Sequence, residues 1–206
     1  MTKIIGITGS IGMGKSTISS MLLKIGIPVF DSDKEVEHIL VNNSKIINQI
    51  NKKWPQAVVI NKHEKRINKK KLGDIIFKTL KDKYFLEKLI HPIIQKKRDL
   101  FILQNKNKKV VALDVPLLFE TNTYKICDYI FIANTKNSTQ RHRVLKRPNM
   151  TMEKFNLINK HQLSNIERKD LEPKSFIITT SFGKLVTFMV ILIILLNVCF
   201  FKREEN

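Results

Sequence analysis

One segment restricts this chain more than any other: Gly9-Ser10-Ile11-Gly12-Met13-Gly14-Lys15-Ser16, which satisfies every position of the G-x-x-x-x-G-K-[ST] phosphate-loop pattern. Its surroundings also suit that pattern. Lys3-Ile4-Ile5-Gly6-Ile7-Thr8 reads as a short buried strand, and Thr17 to Lys24 carries apolar residues at helical spacing. Strand, glycine loop and helix in this order predict an α/β fold whose first loop takes a polyphosphate. Gly12 and Gly14 let the backbone turn its N–H groups toward one point, where the helix N-terminus adds partial positive charge. Gly9, Ile11, Gly12, Met13, Gly14, Lys15, Ser16 and Thr17 are therefore the expected triphosphate-binding set. Lys15 would reach the β- and γ-phosphates, and Ser16 would offer its hydroxyl to Mg²⁺. The bland alternative is an ordinary glycine-rich turn, and a full match in the right context argues against it.

The chain has 206 residues, enough for one sizeable core with a smaller inserted subdomain. Its formal net charge is +19, which prompts a nucleic-acid or membrane-surface reading. Only seven of the 37 basic residues are Arg, however, and the remaining Lys accompany many Asn and Ile, as in a sequence with A- and T-rich codons. On that reading much of the charge is solvated surface, part serves anionic substrates, and no specific nucleic acid is expected. Cys127 and Cys199 have neither metal-ligand spacing nor a disulfide framework, which suits a reducing, cytoplasmic compartment. No signal peptide is visible, since the N-terminal apolar residues belong to the strand that feeds the phosphate loop.

Further along, Gly26 to Phe30 is a second apolar run that empties into Asp31-Ser32-Asp33. On an extended segment, residues two apart share a face, so both carboxylates would point to one side at the carboxyl end of a strand, where such folds bind ligands. Ser32 with Glu35 resembles a capping box, with Val36, Ile39 and Leu40 as an apolar helical face behind it. Residues 41–66 read as a helix and a loop anchored by Trp54-Pro55 and Val58-Val59-Ile60. From Lys71 to Gln104 an amphipathic pattern returns, and His91-Pro92 is expected to kink or restart it. Val110 to Asp114 is a buried strand ending in an aspartate, the pattern of a carboxylate that holds a Mg²⁺-bound water. Another strand, Asp128 to Ala133, precedes the basic run Gln140 to Arg147. Arg143 and Arg147 are four apart and would share a helix face, a plausible lid over a transferring phosphoryl group. Phe176 to Ile178 reads as a last strand. Val186 to Phe201 is apolar apart from Thr187 and Asn197, and as a helix it would span about 24 Å, short of the roughly 30 Å hydrocarbon core. It reads first as a buried or oligomerising helix, with a membrane anchor or interfacial segment as the alternative.

Taken as an ordered set, these residues resemble the dephospho-coenzyme A kinase family from Lys3 to about Phe182. The resemblance rests on residues 6–17, Asp31-Ser32-Asp33, His91-Pro92, Val115-Pro116-Leu117-Leu118-Phe119-Glu120, and Gln140 with Arg143 and Arg147. It implies a phosphate-loop nucleoside-triphosphate hydrolase fold in three parts: a parallel-sheet core, a helical substrate subdomain at about 41–105, and a lid at about 138–165. Residues 183–206 stay apart as an apolar helix of open role. The implied substrates are ATP, with Mg²⁺, and dephospho-coenzyme A. Asp33 is implied as general base, Lys15, Arg143 and Arg147 as catalytic, and Asp31, His91, Pro92, Pro116, Leu117, Leu118 and Glu120 as acceptor-binding. Ser16 and Asp114 would serve the metal. Two departures stand out: Ile67-Asn68-Lys69 replaces an isoleucine-aspartate-arginine triplet, and Lys174-Ser175 replaces alanine-aspartate. Rival readings are a kinase of another small acceptor, such as a nucleoside or nucleotide, and a non-enzymatic ATP-binding protein associated with nucleic acid or membrane.

Overall fold

The computed structural model describes all residues except 62, 63, 77, 149, 161–174 and 201–206. The end of the expected lid (161–165), Lys174 and Phe201 thus lie outside the described residues. Contacts divide the chain into two compact units, Met1–Asp31 with Gln104–Asn206, and Ser32–Leu103. The second unit begins at Ser32, earlier than the expected insertion at about residue 41.

The first unit is built on five parallel strands: β1 (Lys3–Thr8), β2 (Val29–Asp31), β5 (Val110–Asp114), β6 (Tyr129–Asn134) and β7 (Ser175–Thr179), in the order β2-β5-β1-β6-β7. β1 is central, and Ile5, Ile7, Val111, Ala112, Leu113, Ile130, Phe131 and Ile132 are essentially inaccessible. A parallel sheet covered on both faces demands such near-continuous apolar strands. Helix α1 (Lys15–Lys24) buries Ile18, Met21 and Leu22 on this sheet. Beyond α7 (Met152–Lys160), helix α8 (Lys184–Phe200) adds Ile191, Leu195 and Val198 to the same core. Thr187, which interrupts the apolar run, is buried and donates its hydroxyl to Gly183 O at 2.8 Å. The apolar helix is therefore part of the first unit's core rather than a separate appendage. Among the described residues no helix is long and apolar enough to cross a membrane.

The second unit contains α2 (Ser32–Asn42), α3 (Ser44–Lys53), a hairpin of β3 (Val58–Asn61) and β4 (Glu64–Ile67), α4 (Lys69–Ile76) and α5, which begins at Leu80 and runs to Gln104. Val58-Val59-Ile60 is thus a strand of an antiparallel hairpin, not loop. The β-branched Val58, Val59 and Ile60 favour that pairing once a neighbouring surface supports it. The expected break at His91-Pro92 is also absent: α5 is continuous, with Pro92 inside it. Proline removes one backbone donor there, but Leu86 and Ile90 are buried on the preceding turn and Ile93 and Ile94 pack on the following one, which holds the helix together. Trp54 anchors this core. It is 5% exposed and meets the Phe85 ring edge-on at 5.4 Å, with Lys53 Nζ 3.7 Å from the Phe85 centroid. Trp54→Ala is expected to cost about 3–5 kcal/mol. Hydrogen exchange should then show lost protection within 32–103 while β1 keeps its own.

Candidate functional site

β1 ends at Thr8, the chain turns through residues 9–14, and α1 starts at Lys15. Two glycines make this turn feasible for steric as well as conformational reasons. Gly12 has φ 78°, and a Cβ there would fall 2.5 Å from Val144 Cγ2. Gly14 has φ 100°, and its Cβ would fall 2.5 Å from Thr180 Oγ1. Both conformations are left-handed, and both positions are crowded, so a side chain at either would push the loop off its supports.

Those supports come from two other elements. Gln140, on α6 (Asn137–Leu145), is 3% exposed and donates Nε2–H to Ile11 O at 2.8 Å. Thr180, one residue past β7, is 4% exposed and donates Oγ1–H to Met13 O at 2.8 Å. A trans peptide points its N–H away from its C=O. Tying the carbonyls of Ile11 and Met13 to α6 and Thr180 therefore turns the N–H groups of Gly12 and Gly14 the other way, as an anion cradle requires. Arg143 completes the support, donating to Thr180 Oγ1 at 2.8 Å and to Thr180 O at 3.0 Å.

A buried carboxylate lies beneath the start of α1. Asp114, the last residue of β5, is 3% exposed. One of its oxygens accepts from Lys15 Nζ and the other from Ser19 Oγ, the latter at 2.5 Å. A carboxylate this buried needs such partners, and both come from one face of α1, four residues apart. The register of the sheet pairs Asp114 with Ile7 on one side and Asp31 on the other. Hence the lysine of the loop, the Asp114 carboxylate and Asp31 occupy the carboxyl edge of neighbouring strands. Ser16, at the start of α1, is exposed.

Other expected residues stand differently. β2 stops at Asp31 and α2 starts at Ser32, so Asp33 is an exposed residue in the first turn of a helix. The extended-strand argument that Asp31 and Asp33 share a face therefore fails. Helix α6 ends at Leu145, with Arg147 beyond its C-cap Lys146, so Arg143 and Arg147 do not share a helix face. Arg147 is exposed, whereas Arg143 is engaged with Thr180. In the 116–120 turn, Pro116 and Leu117 are half-buried and Glu120 is exposed, but Leu118 is fully buried. Its methyls lie 2.9 and 3.2 Å from where a Gly6 Cβ would be. Leu118 thus fills the space under β1 and cannot also meet an acceptor in this arrangement. His91 and Pro92 are exposed on α5, in the second unit. The sequence reading missed Ser19 and Thr180. Ser19 is detectable as the residue one helical turn after Lys15, but nothing local marks Thr180.

The Thr180 contact carries a prediction. Thr180→Val keeps the shape and removes the hydroxyl, leaving Met13 O without its donor. ATP affinity by isothermal titration should fall roughly 10-fold, the effect of about 1.4 kcal/mol. Turnover at saturating ATP should change less, and Thr180→Ser should restore binding.

A five-stranded parallel sheet with a full phosphate loop after its central strand, a buried aspartate on the adjacent strand, and a buttressing helix that carries Gln140 and Arg143 define a phosphate-loop protein of nucleotide-kinase type. The sequence profile of the dephospho-CoA kinase family matches residues 3–179. The chain belongs to that family, and is accordingly a kinase, a transferase of coenzyme A biosynthesis. A dephospho-CoA kinase of Bartonella quintana is 37% identical over 180 residues, covering 86% of this chain and 89% of the relative. One of Zymomonas mobilis is 34% identical over 175 residues, covering 85% and 86%. Among solved structures, a dephospho-CoA kinase from Campylobacter jejuni aligns with a TM-score of 0.67 at 25% identity, over 97% of this chain and 98% of its own.

Proposed function

We propose that this protein transfers the γ-phosphoryl group of ATP to the ribose 3′-hydroxyl of dephospho-coenzyme A, giving coenzyme A and ADP in the cytoplasm. The observation that carries this reading is the intact, buttressed phosphate loop, with Lys15 and Ser19 on buried Asp114, in a chain of this family. The N–H groups of the loop and the α1 N-terminus hold the triphosphate, and Lys15 neutralises charge on its outer phosphates. That task requires the Lys15 ammonium to leave Asp114 or to bridge both anions.

The residues fit Mg²⁺. Ser16 Oγ and the Asp114 carboxylate are hard oxygen donors on adjoining elements, and Mg²⁺ commonly takes few protein ligands and completes its shell with phosphate and water. When bound, the ion would offset charge on the β- and γ-phosphate oxygens.

Asp33, two residues past the end of β2, is assigned the proton of the ribose hydroxyl, and Asp31, His91, Pro92, Pro116, Leu117 and Glu120 the acceptor. Arg143, within the expected lid, takes a double role: it steadies the loop through Thr180, and its guanidinium is assigned charge on the transferring group. Arg147, exposed beyond α6, is the candidate for closure over the phosphates. Purified protein with ATP should release ADP when dephospho-coenzyme A is added, and much more slowly with nucleosides, nucleoside monophosphates or no acceptor. Equal rates with a nucleoside would overturn the acceptor assignment, and no acceptor-dependent ADP release would overturn the kinase reading.

A further inference from the structure

Phosphoryl transfer leaves one feature of the chain unused, the outer face of α8. Its inner face, Thr187, Ile191, Leu195 and Val198, is buried on the sheet. Its outer face exposes Leu185 (75%), Val186 (46%), Met189 (51%), Ile193 (56%) and Leu196 (57%), with Phe182 (62%) just before it. Leu185, Met189, Ile193 and Leu196 recur at three- and four-residue steps and so form one stripe. A stripe of large apolar side chains along a whole helix is more than the scattered exposure usual on a protein surface.

The ends of this stripe are cationic. α8 opens at Lys184, its sole charged residue. Leaving the carboxyl edge after β7, it runs to the opposite edge of the sheet, where Lys3 Nζ donates to Val198 O at 2.5 Å. Lys3 N–H in turn bonds Lys109 O at 2.9 Å, and Thr2 Oγ1–H bonds Lys106 O at 2.8 Å. α1 packs beside α8 in the same core and ends in exposed Lys24. Lys3, Lys24, Lys106, Lys108 and Lys109 thus gather at this edge, against Asp128, whose carboxylate accepts from Ile4 N–H. The sequence then continues Lys202-Arg203-Glu204-Glu205, where the charges cancel.

We infer that the outer face of α8 and the lysine edge beside it dock this protein on an anionic lipid bilayer, with the helix lying in the plane of the interface. An apolar helix face bordered by cations meets acyl chains and headgroups at once. A spanning role does not fit, because the opposite face of α8 is committed to the sheet core and 17 residues rise only about 25 Å. A second copy fits poorly: pairing two stripes would bring lysine-bearing ends of two strongly basic chains together. Nucleic acid would satisfy the lysines and leave the apolar stripe in water.

The test uses the full chain and sucrose-loaded vesicles of phosphatidylcholine, alone or with about 30 mol% phosphatidylglycerol. Partition onto the anionic vesicles should be about 10-fold stronger or more, and should drop in about 0.5 M salt. Met189→Glu/Ile193→Glu should weaken it about 10-fold, as should Lys106→Gln/Lys108→Gln/Lys109→Gln, with ADP release and melting temperature unchanged in both. Met189→Gln/Ile193→Gln serves the same purpose should the paired glutamates disturb folding. Equal partition onto both vesicle types, or binding indifferent to residues 189 and 193, overturns the inference. So does a wild-type dimer in sedimentation equilibrium that these variants disperse, with no vesicle binding, since the stripe would then belong to a second copy.

Discussion

Lys15→Ala is expected to lower kcat/KM for ATP by roughly 10³-fold, because it removes the one loop cation aimed at the charge that develops in phosphoryl transfer. It should also destabilise the protein, an effect that does not follow from a purely catalytic lysine. Asp114 is 3% exposed, and without Lys15 its carboxylate keeps Ser19 Oγ but loses the charge of the Lys15 ammonium. Removing one partner of a buried pair costs roughly 3–5 kcal/mol. The lower end applies here, since the Lys15 side chain keeps 18% of its exposure. The double variant Lys15→Ala/Asp114→Asn should recover much of the lost melting temperature, since a neutral amide needs no cation, yet recover none of the activity. Thermal melts and steady-state kinetics on the same samples separate the two effects. A Lys15→Ala protein that melts like the wild type would show that the pair with Asp114 contributes nothing to stability, and wild-type ATP affinity and turnover would remove Lys15 from the site.

The second large effect is expected at Asp33. Asp33→Asn should reduce kcat by about 10²- to 10⁴-fold, the usual worth of a positioned general base. Phosphoryl transfer depends mostly on positioning and electrostatics, so activity should fall without vanishing. ATP affinity should stay near wild type, because the triphosphate is held by the loop and α1. Stability should hardly change: Asp33 is exposed in the first turn of α2, where a carboxylate contributes about 0.3–1 kcal/mol through the helix dipole. Asp31→Asn should be milder in turnover, as Asp31 is assigned to acceptor binding rather than proton transfer. Near wild-type turnover in Asp33→Asn would take that residue out of the mechanism, whatever the acceptor.

How much of this was legible beforehand differs from element to element. β1, α1, β5, β6 and β7 were readable because each is a short apolar run or an amphipathic stretch whose pattern carries its period. The hairpin of β3 and β4 was not, because half of it, Glu64–Ile67, is polar and gains strand structure only by pairing with Val58–Asn61. Pro92 misled for a related reason. Proline disfavours a helix locally, but apolar residues packed on both sides of it keep α5 intact. Asp31 and Asp33 would share a face only on an extended segment, and the early start of α2 at Ser32 replaces that two-residue period with a helical one.

The sequence alone determined the phosphate loop, the buried strand that feeds it, the helix that follows, and membership of a recognisable family. These are local properties: eight consecutive residues define the loop, and apolar periodicity defines its neighbours. What only the tertiary structure decided is how that loop is held. Ile11 O and Met13 O are bound by Gln140 and Thr180, residues 129 and 167 positions away in the chain, and Asp114 reaches Lys15 across 99. Likewise, only packing against the sheet divided α8, apolar on nearly every side, into a buried face and an exposed one. Neither result is written in any short window, because hydrogen bonds and burial between distant segments depend on where the whole chain brings them together, and a pattern of neighbours carries no such distance.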